Sequence, residues 1–341
     1  MRIRKIFSAF LIFFMLGLCL KAQVKPGGYF SFEYLKSQSQ GYYPLGTFAN
    51  FNGGLSLSGT VYGKLSFAAE GRMELQGFFK IAQAFLSFQG SRFVNLKFGL
   101  FEIPFGRYNW SARPQENPTV FRPLVFHFFP YRWHDLGICW QGDLSFFNFS
   151  AYLVNGLQSD LTPGSEGYLR TAFVDNNKDK GIGSRLAIRF GQGAELGGSF
   201  YTGKYDPDGT KDVQFKGVDL IWVTPEWEVR GEYIQAAYDH PYLNQKINFD
   251  GYYLTVSMLF KNFRLYYSYQ KSDLPDDVID DEQAAPLNIF FDSMKKKTRS
   301  AVGLRLDLAS VFFAKIEYDW NKEQNVKLKD NMLLVQLGFA F

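Results

Sequence analysis

Val302-Gly-Leu-Arg-Leu-Asp-Leu-Ala-Ser-Val-Phe-Phe-Ala-Lys-Ile-Glu-Tyr-Asp-Trp320 is the stretch that decides the fold. Val302, Leu304, Leu306 and Leu308 alternate with Gly303, Arg305 and Asp307. After a turn at Ser310, Phe312, Ala314, Ile316, Tyr318 and Trp320 alternate with Lys315, Glu317 and Asp319. Successive side chains of a strand point to opposite faces, so a period of two predicts strands with one apolar and one charged face. The same alternation recurs in Leu55, Leu57 and Val61, and in the even positions from Tyr252 to Phe260. No segment carries a convincing helical stripe.

Sixteen such segments are predicted, at about 27–36, 53–62, 64–75, 79–89, 93–103, 134–144, 146–156, 181–191, 193–204, 212–224, 226–238, 248–261, 262–272, 297–309, 311–321 and 330–341. Most are longer than the roughly 5–6 residues of a globular strand. They suit a tilted strand crossing a bilayer, which needs roughly 9–11 residues. The connections after even-numbered segments are short. Those after odd-numbered ones are long at 104–133, 157–180 and 273–296. Such segregation of loop length is a habit of outer-membrane barrels. The expected fold is therefore an all-β, transmembrane antiparallel β-barrel of 16 strands, with short periplasmic turns and long extracellular loops. Its apolar set faces lipid, its polar set faces a wet lumen, and closure removes the open edges that hydrocarbon does not tolerate. Aromatic residues make up 18% of the chain, enough for two interfacial girdles.

Residues 1–22 read as a secretory signal peptide. Arg2, Arg4 and Lys5 precede the apolar run Ile6–Leu20, and Ala22 stands at the cleavage position. Residues 23–341 then form one barrel. The signal holds four of the 37 basic residues and none of the 33 acids, which leaves 33 of each sign. The balance gives no reason to expect a nucleic-acid partner. With two Cys and three His, the chain is no disulfide scaffold, and no metal or cofactor is expected. Neither a G-x-S-x-G elbow nor an H-E-x-x-H is present, so no enzyme is expected. Gly198–Lys204 matches seven positions of a phosphate-binding loop, but Tyr205 follows where Ser or Thr is needed and the segment reads as a strand.

The alternation places Arg72, Lys97, Arg185, Arg189, Arg230, Arg264, Arg305 and Lys315 on the lumen wall. Facing them are acids such as Glu33, Glu70, Glu74, Asp135, Asp143, Glu195, Asp219, Glu228, Glu232 and Glu317. The loop 104–133 carries Arg107, Arg113, Arg122 and Arg132 with Glu116 and His127, among five prolines and several phenylalanines. That composition predicts a loop folded into the barrel as a constriction. Its arginines either form an anion-attracting ring or pair with the acidic wall. Phe341 closes the apolar face of the last strand and is expected to serve as the signal for the barrel assembly machinery.

From about residue 50 to 156 the chain resembles the phosphate-selective porin O/P family. The resemblance rests on Gly99-Leu-Phe-Glu-Ile-Pro104-Phe105-Gly106, Asp135-Leu136-Gly137 and Tyr152-Leu-Val-Asn155-Gly156. It implies a sixteen-stranded trimeric porin with an inward third loop, and anion transport aided by basic residues at the constriction. The net acidic lumen set and a constriction loop without a Lys cluster depart from that pattern. The expected function is passive diffusion of small hydrophilic solutes across the bacterial outer membrane, with a preference for phosphate-like anions as its sharpest form. The alternative is a closed or ligand-specific barrel with a receptor, adhesive or structural role. Expected partners are outer-membrane lipid and lipopolysaccharide, the assembly machinery, small solutes or anions, and two further copies in a homotrimer.

Overall fold

A computed structural model of the chain describes residues 23–73, 79–159, 169–171, 175–191, 193–239, 245–273, 296–308, 311–324 and 327–341. Residues 1–22, read above as a signal peptide, Glu74 and the acidic loop 274–295 lie outside the described residues. The strands are β1 (Gln23–Ser37), β2 (Thr47–Tyr62), β3 (Leu65–Met73), β4 (Phe79–Ser91), β5 (Val94–Glu102), β6 (His134–Asp143) and β7 (Phe147–Val154). A two-stranded ribbon follows, β8 (Leu157–Ser159) with β9 (Leu169–Thr171). Then come β10 (Gly181–Phe190), β11 (Ala194–Lys204), β12 (Asp212–Val223), β13 (Trp227–Asp239) and β14 (Lys246–Leu259). The last are β15 (Phe263–Asp273), β16 (Lys296–Leu308), β17 (Phe312–Glu323) and β18 (Met332–Ala340).

Without the ribbon, sixteen strands pair antiparallel with their neighbours and close into one barrel, β1 meeting β18 from Tyr29 opposite Ala340 to Ser37 opposite Met332. Paired backbone bonds between Gly28 and Phe341, 3.0 and 2.9 Å, extend that seam to the last residue. Every predicted segment is a strand of this barrel. β1 and β2 start earlier than the alternation suggested. A bulge opposite Ser31 and Glu33, with Asn50 in the left-handed region at φ 52°, shifts the parity of residues 47–49.

Period-two chemistry sets which face is which. Leu55, Ile138, Leu186, Leu196, Ile316 and Leu337 point outward and are exposed, while Glu70, Arg72, Arg185, Lys315, Glu317 and Asp319 point inward and are buried. In water this arrangement would be inverted. Around a wet interior in a bilayer it is the one the solvent demands. The expectation of a polar inner face needs one correction. On β11–β14 the inward residues Tyr201, Val213, Phe215, Ile234, Ala236 and Phe249 are apolar and buried. They are covered from inside by the loop between β5 and β6, whose Phe105, Phe126, Phe129 and Trp133 join them in one internal core.

Candidate functional site

Residues 103–133 cross the barrel interior. Asn109 fixes the two ends together: its Nδ2 donates to the carbonyls of Ile103 and Trp133 at 2.9 and 2.7 Å, and its Oδ1 accepts the Trp133 N–H at 2.6 Å. Gly106 makes the entry turn at φ +58°, where a Cβ would stand 2.8 Å from Glu232 Oε1. Its N–H donates to Ser199 Oγ at 3.0 Å. The next two N–H groups, of Arg107 and Tyr108, both donate to Glu232 Oε1, the second at 2.5 Å. A buried carboxylate on β13 thus holds the turn through successive backbone donors. Around it the rings of Phe105, Phe129, Trp133, Tyr201 and Phe215 meet, most of them edge to face, with centroids 4.7–6.2 Å apart.

On the opposite wall the contacts are polar. Lys315 Nζ donates to the carbonyls of Pro114, Asn117 and Thr119 at 2.7, 2.8 and 3.1 Å. Arg305 reaches the Gln115 carbonyl at 2.7 Å and Arg299 that of Arg122 at 3.4 Å, while Arg230, from β13, reaches that of Glu116 at 3.3 Å. In return the N–H groups of Val120 and Phe121 donate to Glu317, and that of Leu124 to Gln270. The wall's cations hold the loop's carbonyls and its acids and amides hold the loop's N–H groups, so the segment satisfies its backbone with only single 3-10 turns at Tyr108–Ser111 and Leu124–His127 of its own.

The remaining lumen cations are also engaged. Arg72 bonds Glu70 and Glu102, each at 2.6 Å. Arg185 sits between Asp219 at 2.5 Å and Glu195 at 3.0 Å. Arg189 pairs with Asp143 and Glu195, and Arg264 with Glu228. Lys97 lies over the Phe85 ring. Of the loop's own arginines, Arg107 pairs with Glu195 at 2.7 Å. Arg113 bonds Glu70, Glu102 and Glu116. Arg122 and Arg132 both lie over the Tyr131 ring, 4.9 and 5.2 Å from its centroid. Two of the four thus pair with acids and two share a ring of the loop itself. Alternation cannot show such pairing, because Arg113 and Glu70 are 43 positions apart.

Burial shifts several groups of the loop, His127 and Glu116 among them. Burial pushes the His127 pKa well below its ordinary 6.5, helped by the charges of Arg122, Arg299 and Lys297; its Nδ1 is 3.4 Å from Arg122 Nη2. Burial also raises the Glu116 carboxyl, against the pull of Arg113. Among the described residues no group of three or more His, Cys, Asp or Glu could hold a metal. Cys139, the free thiol, is buried in the internal core.

Water-accessible space remains at the short-turn end. One chamber of about 300 Å³ lies between the Gly- and Ser-lined wall of β1–β3 and the loop residues Arg113, Gln115 and Glu116. A second, of about 570 Å³, lies between β4–β7, β10 and β11 and the loop residues Arg107 and Trp110.

Comparison with solved structures finds barrels of the same kind. OmpF of Salmonella typhi superposes with a TM-score of 0.67 at 10% identity, over 94% of this chain and 98% of that one. The anion-selective porin from Comamonas acidovorans gives 0.65 at 13%, over 94% and 99%. The outer-membrane channel DcaP of Acinetobacter baumannii gives 0.64 at 11%, over 94% and 98%. The fold is that of the outer-membrane porins. The apolar outer face described above is the one such a barrel presents to lipid. No protein-family model matches the chain. An uncharacterized protein of Aquifex aeolicus is 26% identical over 171 residues, 46% of this chain and 38% of that protein. The match therefore spans well under half of that relative's length.

Proposed function

We propose that the barrel is a porin passing small hydrophilic solutes, with little preference for the sign of their charge. One observation carries this reading. The interior keeps two water-accessible chambers edged by charged side chains, yet those charges are matched in place: Arg107 by Glu195, Arg189 by Asp143, Arg113 by Glu70. Paired charges leave a polar wall with a weak net field. The resemblance to phosphate-selective porins and the anion-selective neighbour support solute passage. The occupied lumen cations speak against phosphate selectivity. The bundle of contacts holding the loop is read as a scaffold for passage, not for catalysis. Homotrimeric assembly, contact with lipopolysaccharide, and Phe341 as the assembly signal belong to the same reading; one solved neighbour is a trimer form of OmpT from Vibrio cholerae.

The test is the zero-current potential of the purified protein in a planar bilayer under a salt gradient, repeated with Arg107, Arg113, Arg122 and Arg132 changed to Gln. Conductance with a permeability ratio near unity, shifted little by the variant, is expected. A strong anion preference that the variant abolishes would replace this reading with an anion channel. A second reading, a closed barrel with a receptor or structural role, draws on the loop's bonds to strands from β2 to β17. It requires no conductance at all.

A further inference from the structure

The larger chamber at the short-turn end has a lining that a simple passage does not need. Glu195, on β11, is saturated: Arg107, Arg185 and Arg189 donate to it at 2.7, 3.0 and 3.3 Å, and Asn148 Nδ2 at 2.8 Å. Arg189 is held in turn by both oxygens of Asp143, at 2.7 and 3.1 Å. These groups form a fixed wall that a dissolved anion would have to break apart to bind. Beside Arg92, which also borders the space, what stays available is of another kind. Trp110 borders the space with its indole, braced by the Arg185 guanidinium 5.2 Å from its ring. Around it stand planar amides with an unused end. Asn95 accepts from Ser87 through Oδ1, so its NH₂ has no partner among the described residues. Gln141 donates to Ser150 and Gln89 to the Ser91 carbonyl, which leaves both amide oxygens as acceptors.

We propose that this chamber is a binding site for a small neutral saccharide, of mono- to disaccharide size. A flat aromatic face matches the C–H face of a pyranose ring, and neutral amide donors and acceptors around it match hydroxyls, which both give and accept hydrogen bonds. The volume of about 570 Å³ lies within the roughly 300–1,000 Å³ of small-molecule sites. Arg92, at the turn between β4 and β5, also lines the chamber, so inorganic phosphate is the competitor that the experiment has to exclude, while Trp110 and the neutral amides match an uncharged polyol. The inference rests on the reading of the barrel as a solute passage and names the solute class that this part of it retains.

The experiment is isothermal titration of the intact barrel in detergent with glucose, maltose, benzoate and inorganic phosphate. Calorimetry needs no conductance, so failure of the passage reading and failure of the site are seen separately. Saturable binding of glucose or maltose is expected, weakened about tenfold or more by Trp110→Ala and unchanged by Trp227→Ala on the outer face. Gln141→Leu, which keeps the side chain's size, is expected to weaken binding as well and guards against a Trp110 variant that misfolds. Absence of saturable saccharide binding, binding of benzoate or phosphate in its place, or saccharide binding that neither lumen variant alters would overturn the proposal.

Discussion

The two limbs of the loop 103–133 are held by different forces. Residues 103–112 and 125–133 pack rings against the apolar inner wall of β11–β14. Residues 113–124 hang on the opposite wall by hydrogen bonds and ion pairs to β3 and β15–β17, with a small apolar contact of Val120 and Phe121 to Leu35, Met332 and Leu334. The aromatic limb gains from excluding water, a term that is non-directional and tolerates small shifts. The polar limb depends on geometry: each carbonyl needs its donor, and a lost donor leaves a buried acceptor unsatisfied. The comparison teaches where the loop is firm and where it yields. The aromatic limb anchors and borders the larger chamber; the polar limb borders the smaller one.

The sharpest way to break the contrast is to empty the aromatic limb. Trp133 is fully buried among Phe105, Phe129, Tyr201 and Phe215. Trp133→Ala is expected to cost about 3–5 kcal/mol of resistance to urea in detergent or lipid. The same variant should make single-channel current noisy, since the whole loop loses its anchor. A stability loss below about 1 kcal/mol would show that the loop is not held by packing.

A smaller effect is expected on the other limb. Lys315→Met removes one donor from three carbonyls, at a cost of about 2–3 kcal/mol. Conductance should rise steadily rather than flicker, because the aromatic limb stays in place. If both variants gave the same current trace, the division into two limbs would be wrong.

The smallest effect comes from the junction between the limbs. The folded state lowers the His127 pKa below 6.5, so between that lowered value and 6.5 the unfolded chain holds more protons. Stability should therefore fall as pH drops below about 6.5. Urea midpoints at about pH 7.5 and about pH 5.5 should differ less in His127→Gln than in the wild type. An identical pH dependence in the two proteins would remove His127 from the account.

Much of the barrel was legible because a two-residue period is a local property. In 302–320 each residue's face is set by its neighbours in sequence, and the structure pairs Leu304 with Ile316 and Gly303 with Glu317 across that hairpin. The reading stopped short where period failed, at the bulge around Asn50. The apolar inner sector was missed, although β14 carries its signal: Ile247, Phe249 and Tyr253 make the inward parity apolar while Tyr252 and Leu254 do the same for the other. A strand apolar on both faces inside a barrel announces something packed within. The partners of the lumen charges were not legible at all. Lys315 meets carbonyls 196 to 201 positions away, and nothing in its own strand says whether it faces a solute or a loop.

The ring cluster around Trp133 gives this membrane protein a piece of soluble-protein thermodynamics. The outer wall rests in hydrocarbon and has little water to expel, but the cluster closes against the wet lumen and should carry the heat-capacity signature of apolar burial. Cooling weakens such burial, and sulfate strengthens it. Ionic strength acts the other way on the charged contacts of the polar limb, which it screens. The aperture of the barrel thus answers to the temperature and salt of the water that fills it, while the wall answers to the lipid.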